Sequence, residues 1–580
     1  MKTNEKSIIK LILPSVLSVF LLLSFSCNQD VDLESELNQQ KAASQSILKE
    51  FVKGAAIQGA NGIDVGADGN LYIASVNGQE IVVMDKHNGK IINRFGPANG
   101  VLGPDDLVFG PDGTLYWTDI LTGFVGRMTQ DGQILAYQFV APGVNPITFS
   151  DDGRLFVALD FLGDGLYELD PNLQEPPRAI IEATEGNPFP LGFFNSFDFG
   201  EDGRLYGPLF AAGLVISVDV GEAGDPVSTS PFTDGTAQIV AGGFVNPAAA
   251  KFGPNGMLYV LDQTGELFTI DPANGDTTLF TELQPGLDNM TFDTDGRLYM
   301  TNNDYGWVAE ILKSGQARYI SPGGFISAQG LAVLQGPDGK DALYAADLFR
   351  LRQFNVKSGQ EENNFKGSLV PEGPESLILP MNVSADGDNL VISSWFSAGV
   401  QVWNPEDGVL ESYPNLPVPI DAVRVNGDII VSDFGLGGVV YASDNSPIAS
   451  LEAASGLATD GETLWAADWG SGDVWQIEFD ESGPTTTELL ASGLVNPEGL
   501  ALDGAGGMYV VESGASRLSR IDLASGNVTP LVDGLELFGT GLGAPPTWKF
   551  DGVAVGSNGD VYICGSGANV IYRIKKNKFK

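Results

Sequence analysis

The chain has 580 residues, 43% of them hydrophobic, with 74 glycines and only 18% charged residues. That is too long for one ordinary core and too apolar for disorder, and it suits many short strands joined by tight turns. Against 31 Lys and Arg stand 74 Asp and Glu, a formal charge of -43, which repels phosphate backbones and argues against a nucleic-acid partner; it fits a soluble exterior, a saline habitat or cation binding.

The first element is an address. Lys2, Lys6 and Lys10 precede an apolar run from Leu11 to Phe25, too short to span a bilayer and of the length of a signal h-region. It ends in Ser24-Phe25-Ser26-Cys27, which resembles the lipobox of bacterial lipoproteins, with Ser24 in place of the leucine usual there. The resemblance implies cleavage before Cys27, lipidation of its thiol, and a membrane anchor on the extracytoplasmic side of the cell envelope. A plain secretory signal is the alternative. Residues 28–47 are polar, with Asp30, Asp32, Glu34 and Glu36, and read as a flexible tether. The second cysteine, Cys564, sits in the apolar run Val561-Tyr562-Ile563 and reads as a small core residue, so no disulfide framework is expected.

From residue 48 onward one unit recurs: an apolar run, Asp-Gly or Asn-Gly, then a second apolar run, as in Gly62-Ile63-Asp64-Val65 followed by Asp68-Gly69-Asn70-Leu71-Tyr72-Ile73. Its turns fall at Asp68, Asp112, Asp152, Asp202, Asn255, Asp295, Asp338, Asp386, Asn426, Asp460, a degenerate Gly504-Ala505-Gly506, and Asn558. The period is about 45 residues, that of a propeller blade. Asp-Gly and Asn-Gly predict two-residue hairpin turns with both central residues at positive φ. Four short strands per repeat make one blade, and twelve blades exceed what a single propeller holds. The expectation is an all-β chain of tandem β-propellers, two six-bladed rings of four-stranded antiparallel blades, with the first propeller over 48–318 and the second over 319–580. A seven-plus-five split is the alternative.

These Asp-Gly-x-Leu-Tyr turns, with Asn496-Pro497-Glu498-Gly499-Leu500-Ala501 and Phe550-Asp551-Gly552-Val553-Ala554, resemble the NHL-repeat and SMP-30/gluconolactonase/LRE-like propellers over nearly the whole mature chain. The resemblance implies one divalent cation, calcium or similar, in a central channel, and hydrolysis of lactones or esters. Such a cation would be held by oxygen side chains, each just before the innermost strand of a different blade. Placed one residue before the glycine that opens each inner strand, the first ring reads Asn61, Asp105, Asn145, Asn195, Ala248 and Asp288. The second reads Gln329, Leu379 with Asn382 nearby, Asp421, Ser455, Glu498 and Asp551. The second ring carries the glutamate, so Glu498, Asp421, Asp551 and Asn382 are the expected metal ligands, and Glu498, Asp551 and Asp421 the expected catalytic carboxylates. The asparagines of the first ring read as structural.

A further acidic position after the second strand (Asp119, Asp160, Asp262, Asp347, Asp433, Asp468) is expected to bond neighbouring blades. Two long connections, 187–194 and 539–549, carry aromatic or apolar residues and are candidate walls for a small-molecule or carbohydrate-like ligand. His87 lies in a hairpin turn, and as the sole histidine it excludes a Ser-His-Asp triad and a His-liganded zinc site. The rival to a hydrolase is a non-catalytic propeller that captures a sugar, peptide or protein, because propellers host both.

Overall fold

The computed structural model describes residues 48–336, 339–368, 373, 375–537 and 546–579. The expected signal, Cys27 and the tether, the turn residue Asp338 and residues 538–545 of the second long connection lie outside the described residues. Within them the chain forms twelve four-stranded antiparallel sheets. Blades 1–6 cover 63–95, 104–139, 144–182, 198–242, 247–282 and 287–321; blades 7–11 cover 331–366, 382–414, 419–450, 454–491 and 497–533. Blade 12 is built from 553–574 and, as its outermost strand, Lys49–Lys53, which pairs antiparallel with Val570–Ile574. No helix among the described residues is long and apolar enough to cross a membrane.

Burial follows the strand order. The second strands, such as Leu71–Ser75 and Leu115–Asp119, are buried at every residue, because neighbouring blades cover both faces. The outer strand Ile134–Phe139 alternates half-buried and exposed residues, the pattern of a strand with one wet face. The tyrosine of the Leu-Tyr repeat joins one blade to the next. Tyr72, Tyr116 and Tyr206 each meet a phenylalanine of the following blade edge-on, Phe109, Phe149 and Phe252, at 4.9, 5.1 and 5.2 Å between centroids. Such pairs contribute about 0.5–1.5 kcal/mol beyond area burial.

The turns differ from the two-residue expectation. Gly69, Gly113 and Gly203 have φ near +79°, but Asp68, Asp112 and Asp202 do not join them in the left-handed region. Each aspartate instead accepts the N–H two residues on, as in Asn70 N to Asp68 Oδ1 at 3.1 Å and Thr114 N to Asp112 Oδ1 at 3.0 Å, and the glycine alone takes the strained position. Among the described turns of the repeat, only Asn426-Gly427, with φ +50° and +95°, has both residues at positive φ.

Two rings of six close. Thr301 of blade 6 donates to the carbonyl of Asn61 at 2.6 Å, just ahead of blade 1, and Gly552 N, at the start of blade 12, donates to Gln329 O, just ahead of blade 7, at 3.2 Å. The expected boundary needs correction at both ends. Residue 318 falls inside the strand Ala317–Ser321, which pairs with Val308–Ile311 of blade 6. The leading strand Lys49–Lys53 completes the second ring, not the first. The first ring is therefore inserted between the outermost strand of the second ring and all its other strands.

The rings meet along one seam formed by blades 1 and 6 on one side and blades 7 and 12 on the other. Arg350 reaches Asp304 at 3.0 Å and lies 4.4 Å over the ring of Tyr305. Arg352, wholly buried, is held by Asp347 at 2.5 Å and by the carbonyls of Asp304 and Gly324. Asn77 donates to Ile326 O at 3.1 Å, and Gln58 to Ser566 O at 2.7 Å.

Candidate functional site

Inner strands start at the axis, and a bulge at their first residues, seen between Pro104 and Leu107, Leu287 and Met290, and Pro497 and Leu500, re-aims one side chain inward. Pairing against the second strand fixes which residue this is. Leu107 lies opposite Trp117, Met290 opposite Met300, Leu500 opposite Val510 and Val553 opposite Ile563, which places Asp105, Asp288, Glu498 and Asp551 at one equivalent axial position. The same register puts Val383 opposite Ile392 and Ala422 opposite Val431. The axial residues of blades 8 and 9 are thus Met381 and Ile420, and the expected ligands Asn382 and Asp421 sit one residue further along.

That second position looks sideways around the ring. Where it is glycine, the next blade presses on it: a Cβ on Gly499 would stand 2.8 Å from Asp551 O, and one on Gly552 2.7 Å from Gln329 O. Where it is Asp or Asn, the side chain bonds its neighbours. Asp421 Oδ1 accepts Ser384 Oγ at 2.9 Å and Ala422 N at 2.8 Å, and its Oδ2 accepts Leu457 N of the next blade at 2.8 Å. Burial pushes the Asp421 carboxyl up to about 6 against those bonds. Asn382 is buried, and its Oδ1 accepts Val383 N.

The structure does bring Glu498 and Asp551 together. Glu498 is fully buried, its Oε2 accepts Asp551 N at 2.6 Å and its Oε1 accepts the Trp469 indole at 3.3 Å. Burial first, and the charge of Asp551 second, push its carboxyl well above the ordinary range. A cation is already covalently present beside this pair: Lys549, also buried, lies within electrostatic reach of Asp551. The remaining axial residues of the second ring are Gln329, Met381, Ile420 and Ser455, and Ser455 Oγ is bonded to Pro497 O at 2.7 Å. Its oxygen donors therefore lie on one side only, facing apolar residues.

The first ring is richer. Five of its six axial residues carry oxygen: Asn61, Asp105, Asn145, Asn195 and Asp288, with Ala248 the exception. Asp105 is only 9% exposed and its carboxylate accepts no hydrogen bond from a described residue. Burial, then the charge of Asp288, then those of Asp106 and Asp160, raise it well above the ordinary range. Asp288, half-buried, is raised by burial and by Asp106 and Asp304, while a hydrogen bond with Asn61 opposes the rise. Asp105 and Asp288 come from blades that are not adjacent, so Asp105 feels Asp288 across the mouth of the ring, and no Lys or Arg figures among the groups that shift them. Asn145 Nδ2 lies 3.4 Å from both Asn195 Oδ1 and Asp160 Oδ2. One residue deeper, Asn289 donates to Asp106 Oδ1 at 3.0 Å and accepts Ser196 Oγ at 2.9 Å, which ties blades 2, 4 and 6 into a floor. The mouth is a cup.

Its wall opposite the seam comes from the connection 187–194 and two strand turns. Asp164 Oδ2 accepts Leu191 N and Gly192 N at 2.9 and 2.7 Å and fixes that connection. Phe193 then stacks on Phe161 at 5.6 Å, Phe189 meets Phe193 at 5.6 Å, and Phe210 meets Phe161 at 5.5 Å. The second long connection contributes Trp548, which packs against Trp395 at 6.0 Å, and Lys549, which turns into the seam.

The other acidic set is structural with a different partner from the one expected. Asp119 binds Leu102 N and Gly103 N, Asp262 binds Val245 N, and Asp468 binds Ala453 N; each clamps the lead-in of its own blade. His87 is exposed, and Cys564 is fully buried, with its thiol pushed up by burial. Among the described residues no three His, Cys, Asp or Glu side chains gather in a metal-holding geometry, so a cation at either axis draws on amide oxygens as well as carboxylates. The Asp105–Asp288 pair was visible as two carboxylates among six axial positions; the absence of a glutamate there hid it.

Two six-bladed propellers with an oxygen-lined axial cup are what the fold and site define. No protein-family model and no curated protein matches the chain. Solved structures to which it is similar include a protein of unknown function from Bacteroides caccae (15% identity over 41% of this chain and 88% of that one, TM-score 0.33). Others are a gluconolactonase from Xanthomonas campestris (14%, 44% and 86%, TM-score 0.34) and the extracellular domain of a proposed one-component system from B. thetaiotaomicron (12%, 91% and 83%, TM-score 0.31). What the cup can do is decided by its own side chains.

Proposed function

We propose that the chain is an exported, lipid-anchored propeller protein of the cell envelope whose working site is the mouth of the first ring, where Asp105 and Asp288, with Asn61, Asn145 and Asn195, hold a divalent cation such as calcium. The observation that carries this is Asp105: a residue only 9% exposed, whose carboxylate accepts no hydrogen bond from a described residue and is raised by the charge of Asp288, gains from a proton or a cation that neutralises it. Oxygen ligands from separate blades suit a hard cation. When bound, such an ion polarises a carbonyl oxygen, the chemistry of lactone and ester hydrolysis. The chain's own part is to hold the ion's ligands and present an apolar wall beside them. The same cup without hydrolysis is a binding module, and the two readings part on turnover alone.

The four residues expected from sequence in the second ring fit a cation less well. Asp421 has both oxygens engaged by backbone and Ser384, Asn382 lies one residue out of register, and Lys549 supplies a charge close to Asp551. Thermal melting in calcium, magnesium or manganese and in chelator tests the proposal, because a cation bound to the folded state raises the midpoint. The rise is expected in the wild type and in Glu498→Gln and is lost in Asp105→Asn. A rise lost in Glu498→Gln and kept in Asp105→Asn moves the site to the second ring, and no rise with any of the three metals removes the cation.

A further inference from the structure

We propose that the ligand of the first-ring mouth is a carbonyl compound with a flat apolar body, aromatic in character, rather than a polyhydroxylated one; this rests on that mouth being the binding site. The wall of the cup is unusual in what it lacks. Phe161 and Phe189 are 42% and 57% exposed and, with the half-buried Phe193 and Phe210, form a shelf with no side-chain hydroxyl, amide or charge of its own. A sugar laid on it would lose water from its hydroxyls and find no partner there; an aryl ring would stack.

The shelf is continuous with the polar collar. Phe161 follows Asp160, which bonds Asn145, and Phe193 lies two residues before Asn195. Two bulky residues, Phe161 at φ +58° and Phe193 at φ +67°, are held in the left-handed region, where such side chains are rare. Charge sets the other end: the negative collar with its cation takes an oxygen, and the shelf takes the apolar remainder. A pocket with a broad apolar wall and a few convergent polar groups is the common form of a small-molecule site.

The test uses neutral lactams, which keep the carbonyl and resist hydrolysis. Affinities of 5-phenyl-2-pyrrolidinone, unsubstituted 2-pyrrolidinone and the polyhydroxylated glucono-δ-lactam are measured by saturation-transfer NMR on the full-length chain in detergent with calcium. The phenyl lactam is expected to bind at least ~10-fold more tightly than the other two. In Phe161→Gly combined with Phe189→Ala that preference is expected to fall to within about twofold. Glycine suits the positive φ at 161, so the melting midpoint holds and lost binding is not lost folding. Equal binding of the three lactams, or a preference untouched by the variant, overturns the proposal. A calcium-induced melting shift without phenyl preference rejects the shelf and leaves the cation site standing; phenyl preference without any calcium shift supports the shelf and rejects the cation.

Discussion

The ammonium group of Lys549, which precedes the axial Asp551 of the second ring by two residues, donates to Oε1 of Gln58, in the segment leading into the first ring, at 2.7 Å. Gln58 Nε2 in turn donates to Ser566 O at 2.7 Å, so one amide ties both rings at the seam. Burial drives Lys549 down to about 7, while the charges of Asp551, Glu80 and Asp347 resist. An unfolded lysine titrates near 10.4. Between those values the unfolded chain binds more protons than the folded one, so this residue's contribution to stability grows as pH rises from about 7 towards 10. Denaturant midpoints over that range are expected to climb more in the wild type than in Lys549→Met. Parallel profiles would show that the ammonium does not carry the desolvation penalty its burial implies.

The carboxylates of the first ring have the opposite sign. Asp288 is pushed up to about 8 by burial and neighbouring charges, against about 3.9 in an unfolded chain. The charge of Asp288 raises Asp105 as well, after burial, so protons leave the two carboxyls in linked steps. The folded state then binds the extra proton across that window, and stability falls as pH rises from about 4 through about 8. Calcium is expected to remove the fall, because the cation replaces the proton. Asp288→Asn is expected to flatten the metal-free profile. Melting midpoints at pH 5, 7 and 8.5, with and without calcium, read both effects.

Asp421 and Glu498 separate structure from site within the second ring. Asp421→Ala removes the acceptor of Leu457 N, Ala422 N and Ser384 Oγ, and a buried N–H left without a partner costs about 1–3 kcal/mol. A loss of about 3 kcal/mol in urea unfolding is expected, with any calcium-induced shift retained. Glu498→Gln keeps an oxygen for Asp551 N and replaces a carboxyl that burial already drives towards its neutral form, so its cost is expected to stay under about 1 kcal/mol at neutral pH.

The twelve blades were legible in the sequence because the Asp-Gly turn recurs with a local physical need, a glycine at positive φ; their six-plus-six grouping was the simplest division but stood beside seven-plus-five, since the turns count blades and do not group them. The axial register was legible by spacing in the first ring, at Asp105, Asn145, Asn195, Ala248 and Asp288, where no glycine follows, and elsewhere by a glycine after the axial residue. Gly62, Gly330, Gly456, Gly499 and Gly552 mark it because the neighbouring blade leaves no room for a Cβ. Blades 8 and 9 solve the same contact with Asn382 and Asp421, polar side chains that bond across it. The marker is missing there, and the polar residue passes for the axial one. The partner of Lys49–Lys53 was not legible at all, since a five-residue outer strand carries no label for the ring it closes. The phenyl shelf was half visible: 187–194 declared itself by composition, whereas Phe161 and Phe210 sit in ordinary turns and join it only in three dimensions.

That N-terminal strand gives the last prediction. Val52 is opposite Ile571 and Lys53 opposite Val570, the Phe51 ring lies 5.6 Å from Tyr562 and 5.2 Å from the Arg573 guanidinium, and beyond it Asn569 Nδ2 donates to Ala55 O and Phe325 O at 3.0 and 2.8 Å. Phe51 packs with Ala328, Phe354 and Ile571 in a cluster shared by blades 7 and 12. Deleting residues 49–53 therefore exposes the edge of blade 12 and opens the core at the place where the second ring closes. The closure of the first ring runs instead through Thr301 and Asn61. Calorimetry is expected to show the second-ring transition lowered by several degrees and hydrogen exchange to speed up in 553–574 and 331–366, with blades 2–5 unchanged. Equal loss of protection in both rings would mean that the seam, through Gln58 and Lys549, makes the two wheels unfold as one.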